Sequence, residues 1–453
     1  MSRYKAYPEY RESGVEWLGA IPKDWDMWKI SHACRYVASG TTPKSDDDVY
    51  YGGDTLWVTT GELREGLILD TQKKVSKKAL VELPTLRVHP AGSVAIAMYG
   101  ATIGRLGIFG VQATTNQACC VMPPSTILQN KYLFYWLFAT RQEIINLSSG
   151  GGQPNVNQEK IASLRVSAPS FEGQQKIADF LDHETAKIDT LIAKQQELIK
   201  LLKEKRQAVI SHAVTKGLNP NAPMRDSDVE WLGDVPAHWG VCKIKNLSLV
   251  ISKGTTPSTI GGDFVEAGIR FLKAENIGKF IKVSSVPEFY ITEETDKKIA
   301  RSRLKEHDVL VIIAGATTGL LSIIERDLLP ANTNQAVSFI RPKEIKFSKL
   351  ILRWLSTEFS QRIIWMGAVQ AAQPNLSMED LSNIPICIPP DSELDQIMNY
   401  VDDSLVEFDR LIDRAAIAID LMQERRTALI SAAVTGKIDV RDWQPPVSEA
   451  QAA

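Results

Sequence analysis

A chain of 453 residues, 44% apolar and 23% charged, has room for two or three ordinary globular domains. Its net charge of −2 excludes a uniformly basic nucleic-acid binder, yet the acidity is local: residues 386–453 carry 6 Lys and Arg against 13 Asp and Glu, whereas residues 1–165 carry 18 against 15. The opening MSRYKAYPEYRESG is not a secretory signal, no apolar run approaches the ~18 residues of a membrane span, and five cysteines without a C-x-x-C pair argue against a disulfide framework or a zinc site. A reduced, cytoplasmic protein with no membrane association is expected.

Taken in order, the chain reads twice. VEWLGAIPKDW at Val15–Trp25 returns as VEWLGDVPAHW at Val229–Trp239, with eight of eleven positions identical or closely similar. GTTP at Gly40–Pro43 returns at Gly254–Pro257, and LWVTTGEL at Leu56–Leu63 has a counterpart in RFLKAENI at Arg270–Ile277. SVAIAMYGATIG at Ser93–Gly104 matches DVLVIIAGATTG at Asp308–Gly319, and TTNQA at Thr114–Ala118 matches NTNQA at Asn332–Ala336. β-Branched runs such as Val309–Ile313 predict strands. Lys131–Leu147 and Lys349–Ile364 have helical apolar spacing, so each half is mixed α and β. The loops SSGGGQPNVN at Ser148–Asn157 and GAVQAAQPNLS at Gly367–Ser377 follow those helices.

Gln174–Lys216 contains neither glycine nor proline, and neither does Asp391–Thr435. Each predicts one uninterrupted helix, roughly 60 Å long at ~1.5 Å per residue. EKRQAVISHAVTKG at 204–217 reappears as ERRTALISAAVTGK at 424–437, so the helices are copies as well. A heptad reading places Ile177, Leu181, Ile188, Leu191, Leu198, Leu202 and Val209 on the first apolar stripe, widened by Ile192 and Ile199. The second stripe runs Ile397, Val401, Phe408, Leu411, Ala415, Ala418, Met422 and Leu429. Both stripes are buried at once if the halves are related by a pseudo-two-fold and the helices pair antiparallel, the second returning to the first domain.

Catalytic signatures are missing. VTGK at Val434–Lys437 lacks the upstream glycine of a phosphate-binding loop, and Gly100, Gly104, Gly107 and Gly110 do not form a dinucleotide fingerprint; the repeated GATxG reads as a tight turn. MPPS and IPPD lack the residues of a methyl-donor motif. Glu344 and Lys346 imitate the E-x-K of a nuclease only by spacing. His183 and His212 read as helix surface, and Trp17, Trp25, Trp231 and Trp239 as domain core.

The paired W-L-G-x-x-P-x-x-W openings, GTTP turns, GATxG and TNQA pairs, QPN loops and long repeated helices resemble the specificity subunit of a type I restriction-modification system over residues 10–437. The resemblance implies an α+β chain of two target recognition domains, at 1–169 and 218–390. They are joined by spacer helices at 170–217 and 391–437 that form an antiparallel coiled coil, with a flexible tail at 438–453. It implies a non-catalytic, DNA-recognition subunit that needs no cofactor of its own. The partners it implies are double-stranded DNA, two modification (methyltransferase) subunits with S-adenosylmethionine, and restriction (translocase/endonuclease) subunits with ATP and Mg. Two readers on one chain reproduce the two-half-site geometry of dimeric repressors, whose half-site centres lie about one DNA turn apart. Because the residues between shared motifs differ, an asymmetric bipartite target is expected. A single-chain methyltransferase or nuclease is disfavoured by the missing motifs; a coiled-coil scaffold without nucleic acid is the remaining alternative.

Base reading needs side chains with paired donors and acceptors on loops, and phosphate contacts need cations or exposed backbone N–H groups. The candidates are Thr42, Lys44, Thr59, Thr60, Arg105, Gln153 and Asn155 in the first domain. In the second they are Thr256, Ser258, Lys273, Glu275, Thr317, Gln373 and Asn375. Unrepeated residues such as Lys44, Arg105, Lys273 and Glu275 suit sequence reading. Shared ones suit backbone positioning or a purely structural turn.

Overall fold

Runs without helix breakers become helices, and the two long stretches do so as Phe171–Lys216 and Asp391–Val434. The first starts earlier than its glycine suggested: Gly173 lies in the first turn, where backbone N–H groups have no intrahelical partner in any case. Beyond the C-terminal ends, Gly217 at φ +74° and Gly436 at φ +72° adopt the left-handed conformation that terminates a helix. The computed structural model describes residues 4–45, 47–148, 155–278, 281–369 and 375–445. The chain divides into two units, Met1–Gln196 with Ile417–Ala453 and Glu197–Ala416.

In the first unit a five-stranded sheet runs in the order Ala38–Ser39, Cys119–Met122, Val94–Ala97, Leu106–Phe109, Gly66–Ile68, antiparallel except for its last, parallel pair. VAIA and CCVM are buried throughout, as expected of strands covered on both faces. A second sheet sets Tyr51–Val58 between Ala113–Thr115, parallel, and Lys74–Val75, antiparallel. The helix Asn130–Ala139 closes the core with Tyr132 to Leu137 all buried. Trp25, fully buried, sits in that core beside Tyr132; at roughly 25 cal/mol per Å² an indole contributes on the order of 5 kcal/mol there.

Both ends of the chain belong to this core. Ile177, Phe180 and Leu181 of the first long helix share it with Ile430, Ala433 and Val434 of the second, and Tyr132 Oη donates to the carbonyl of Val434. Asp189 and Arg426 join the two helical segments at 2.9 Å. The stretch expected as a tail is seated as far as it is described: Ile438 and Val440 are buried, Asp439 N–H donates to Lys5, and Trp443 packs edge-on against Phe180. Apolar residues at 438 and 440 give it something to bury.

The second unit is built the same way. One four-stranded sheet runs Ser248–Lys253, Val337–Pro342, Val309–Ile312, Leu321–Ile323; the other runs Phe264–Val265, Tyr290–Ile291, Ile269–Leu272, Ala331–Thr333. The helix Lys346–Leu355 covers the first sheet, and Trp239 takes the place of Trp25. Ile210, Ala213 and Val214 share the core with Ile397, Val401 and Leu405, and Arg206 pairs with Asp409 at 3.3 Å. In each unit, then, the start of one long helix packs with the end of the other, as the antiparallel reading requires. Trp17 and Trp231 depart from the core expectation. They are 37% and 39% exposed and lie against Trp136 and Phe359, at ring-centroid distances of 5.8 and 5.0 Å.

Candidate nucleic-acid interface

The shared motifs, far apart in sequence, meet through backbone hydrogen bonds in each unit. In the first, Gly40 N–H donates to Asn116 and Thr41 N–H to Thr115, laying GTTP along TTNQA. Met98 N–H donates to Ala118, Val156 N–H donates to Met98, and Asn155 bridges Tyr99, which brings the segment before GATIG and the end of the QPN loop to the same place. The second unit repeats this with Thr255 to Thr333, Ile313 to Ala336, Leu376 to Ile313, and a bridge between Ala314 and Asn375, while Gly254 N–H reaches Val337, just past NTNQA, where Gly40 reaches Asn116.

This meeting explains the motif glycines. A Cβ on Gly40 would stand 1.8 Å from the carbonyl oxygen of Thr115, and one on Gly254 2.0 Å from that of Thr333. Only glycine lets the strap approach so closely. The GATxG motif is a tight turn: Gly104 N–H bonds back to Ala97, and Gly319 N–H to Ile312, each closing an antiparallel strand pair. After QPN a short helix starts on a side-chain cap, Asn157 accepting from Lys160 N–H and Ser377 from Asp380 N–H.

The candidate residues divide by what their side chains already hold. In the first unit Thr59, at the start of a 3-10 turn, donates its hydroxyl to the Glu62 carboxylate at 2.7 Å, while Thr60 stands half-buried beside it. Thr42 donates to Gln117. Lys44, Arg105 and Asn155 are exposed. In the second unit Lys273 is engaged: its ammonium lies 3.5 Å from the Phe289 ring centroid and 4.2 Å from that of Phe264. Thr256 is half-buried at the start of the turn Pro257–Ile260, whereas Ser258, Glu275, Thr317 and Asn375 are exposed. Gln153 and Gln373 lie outside the described residues.

In the second unit the motifs surround an open groove of about 990 Å³, lined by Lys253, Gly254, Thr255 and Thr259, by Ala314 to Ala316, and by Arg301, Gln335, Trp365 and Asn375. No carboxylate is among its described lining residues, so its potential suits a polyanion. Of the predicted residues only Asn375 is among these. Lys253 was findable as the residue before GTTP and Gln335 as the Q of TNQA, whereas nothing in the sequence marks Arg301 or Trp365.

Near the first unit's GATIG turn, Arg141 pairs with Glu65 at 2.5 Å beneath the last glycine. Burial pushes the Glu65 carboxyl above its ordinary value, against the pull of Arg141. What each unit offers is a rigid backbone frame presenting loop side chains, the form of site that reads a large, shaped ligand.

Comparison with known proteins agrees with this geometry. The family described as "Type I restriction modification DNA specificity domain" matches twice, over residues 22–201 and 236–412. The chain is similar to the type I restriction enzyme MjaVIII specificity subunit of Methanocaldococcus jannaschii, 24% identical over 93% of this chain and 95% of that one. It is likewise similar to the MjaIX specificity subunit of the same organism, 25% identical over 98% and 99%. Among solved structures, the fold is that of a chain described under "Structural basis underlying complex assembly and conformational transition of the type I R-M system" (TM-score 0.71, 15% identity, 91% of this chain and 98% of that one). The HsdS subunit from Thermoanaerobacter tengcongensis shares it too, with a TM-score of 0.56, 15% identity and coverage of 94% and 100%.

Proposed function

The chain belongs to the family of type I restriction-modification DNA specificity domains, and from that membership we propose a division of labour between its units. Each unit reads one half of an asymmetric, bipartite duplex target. The chain as a whole is the DNA-recognition subunit of a type I complex, and it positions modification subunits, two in number, and restriction subunits on that target. Specificity subunits of this kind are in general non-catalytic, and we extend that to this chain. S-adenosylmethionine for adenine methylation, and ATP and Mg for translocation and cleavage, then belong to the partner subunits.

One observation carries the reading: the same motifs meet in both units through backbone hydrogen bonds that match at every point except the acceptor of the first GTTP glycine, while the exposed side chains around them differ. A conserved frame with unlike contents is what two readers of unlike half-sites require. Exposed Lys44 and Arg105 in the first unit, and Ser258 and Glu275 in the second, are our choice for base and phosphate contacts peculiar to one half-site, while exposed Thr317, the threonine that GATTG shares with GATIG, suits backbone positioning. Asn155 and Asn375, alike in both units, suit backbone positioning. Thr42, Thr59 and Lys273 act in our reading by shaping the loops, since a hydroxyl or ammonium held by its own protein is a weaker reader, and the half-buried Thr60 and Thr256 are assigned with them.

The test is the methylation motif. Coexpression with the modification subunits and sequencing of the methylated genome should give a split adenine-containing motif, and replacing residues 10–165 by another reader should alter one half of it. A change in both halves would end the one-unit-one-half assignment, and methyl transfer by this chain alone would end the adaptor reading.

A further inference from the structure

The groove of the second unit holds three groups that the first unit does not display in the corresponding places. Lys253, immediately before GTTP, is exposed and its side chain forms no hydrogen bond or ion pair among the described residues; its counterpart in the first unit is Ser39, whose N–H and hydroxyl both donate to Gln158. Arg301 is likewise exposed and its side chain is unengaged among the described residues, whereas the first unit has the buried Leu86 in that place. The third is Trp365. Arg141 and Gln361 occupy matching places, each against the last glycine of its GATxG turn; four residues on, the first unit has Ile145 and the second has Trp365, 40% exposed.

An exposed indole sharing a groove with two unpaired cations, and with no carboxylate among its described lining residues, has a clear chemical complement: a nucleotide, with anionic phosphate and a flat apolar face. We propose that Trp365, Lys253 and Arg301 form a DNA-contact set specific to the second half-site. The two cations engage backbone phosphates, and the indole packs its face on a base or deoxyribose. The proposal rests on the second unit being a DNA reader and adds which residues do the holding. It also makes the two half-sites unequal, since binding through the second unit includes an aromatic contact.

The experiment uses the complex with its modification subunits and labelled duplexes carrying the methylation motif intact, with either half scrambled, or with both scrambled. Lys253→Ala and Arg301→Ala should each lower the slope of log affinity against log salt by about 1. Trp365→Leu, which keeps an apolar side chain on the helix, should weaken binding to the intact duplex roughly tenfold without changing that slope, and Trp365→Phe should restore most of it. Ile145→Ala should produce no such loss. Wild-type affinity and salt slope in Trp365→Leu and in the Lys253→Ala, Arg301→Ala double variant would overturn the proposal, and so would a loss of affinity matched by a lower melting temperature and not restored by phenylalanine. Failure of the wild-type complex to distinguish the intact from the doubly scrambled duplex would instead overturn the recognition reading beneath it.

Discussion

Where the first unit buries His89, the second buries Leu304, and where the second buries Asp308 against Arg341, the first has Ser93 and Pro123. The backbone around them is the same: His89 N–H donates to Ala113 as Leu304 N–H does to Ala331, and Ser93 and Asp308 each close the same turn, on Pro90 and Lys305. Arg341 holds Asp308 with two hydrogen bonds, of 2.9 and 2.8 Å. Burial still pushes the Asp308 carboxyl above its ordinary value. The comparison teaches that this frame is kept by main-chain geometry and by glycine at two close approaches. Its polar interior is free to differ, provided every charge is paired.

The sharpest way to separate the units is Asp308→Ala. It leaves Arg341, 17% exposed, facing an apolar hole, and should cost the second unit about 4 kcal/mol, as broken buried pairs do. Ser93→Ala in the first unit removes one hydroxyl and should cost about 1 kcal/mol. Chemical denaturation followed by amide exchange of each sheet checks both, and equal losses would contradict the comparison. Gly40→Ala and Gly254→Ala should instead behave alike, because both place a Cβ on a backbone carbonyl. About 3 kcal/mol is expected from each, and a clear inequality would show that the straps are not equivalent.

Acid should distinguish the units next. Burial, with help from the charge of Arg87, holds His89 down to about 4. Its folded value is below the unfolded one, so as the pH falls the unfolded chain takes up the proton first. Stability contributed by neutral His89 is therefore complete above about pH 6.5 and lost as the pH falls toward 4, about 1 kcal/mol near pH 5.5. Exchange protection of Val94–Ala97 should drop over that range, and His89→Leu, which installs the residue of the second unit, should flatten the drop. A variant as acid-sensitive as the wild type would refute the assignment. The smallest effects belong to the helix pairs Asp189–Arg426 and Asp409–Arg206, which are half exposed: Asp189→Asn and Asp409→Asn should each cost under about 1 kcal/mol, less in high salt.

The repeat and the two long helices were legible because identity at a fixed offset and the absence of helix breakers are visible without a structure. The seam of the first helix was legible only in part. Leu191 and Leu198, assigned to the stripe, are 49% and 42% exposed, whereas Ile192 and Ile199, assigned to its margin, are the half-buried residues. A strict seven-residue frame drifts by about 20° per heptad on a 3.6-residue helix, enough to exchange such neighbours. The motifs were legible, but their purpose became clear only with the strap geometry of Gly40 and Gly254. Arg301 and Trp365 were not legible at all, since a 3-10 turn and a helix far apart in sequence bring them to one groove, and neither stands in a repeated string.

The first unit takes residues from both ends of the chain and the second only from the middle. A ribosome therefore finishes all the residues of the second unit before the first can close its core, the reverse of the usual N-terminal-first order. Ile430, Val434, Ile438 and Val440 arrive last and complete the oldest part of the nascent chain. Interrupting synthesis after residue 416 would thus leave a chain whose late-encoded reader is whole and whose early-encoded reader is not.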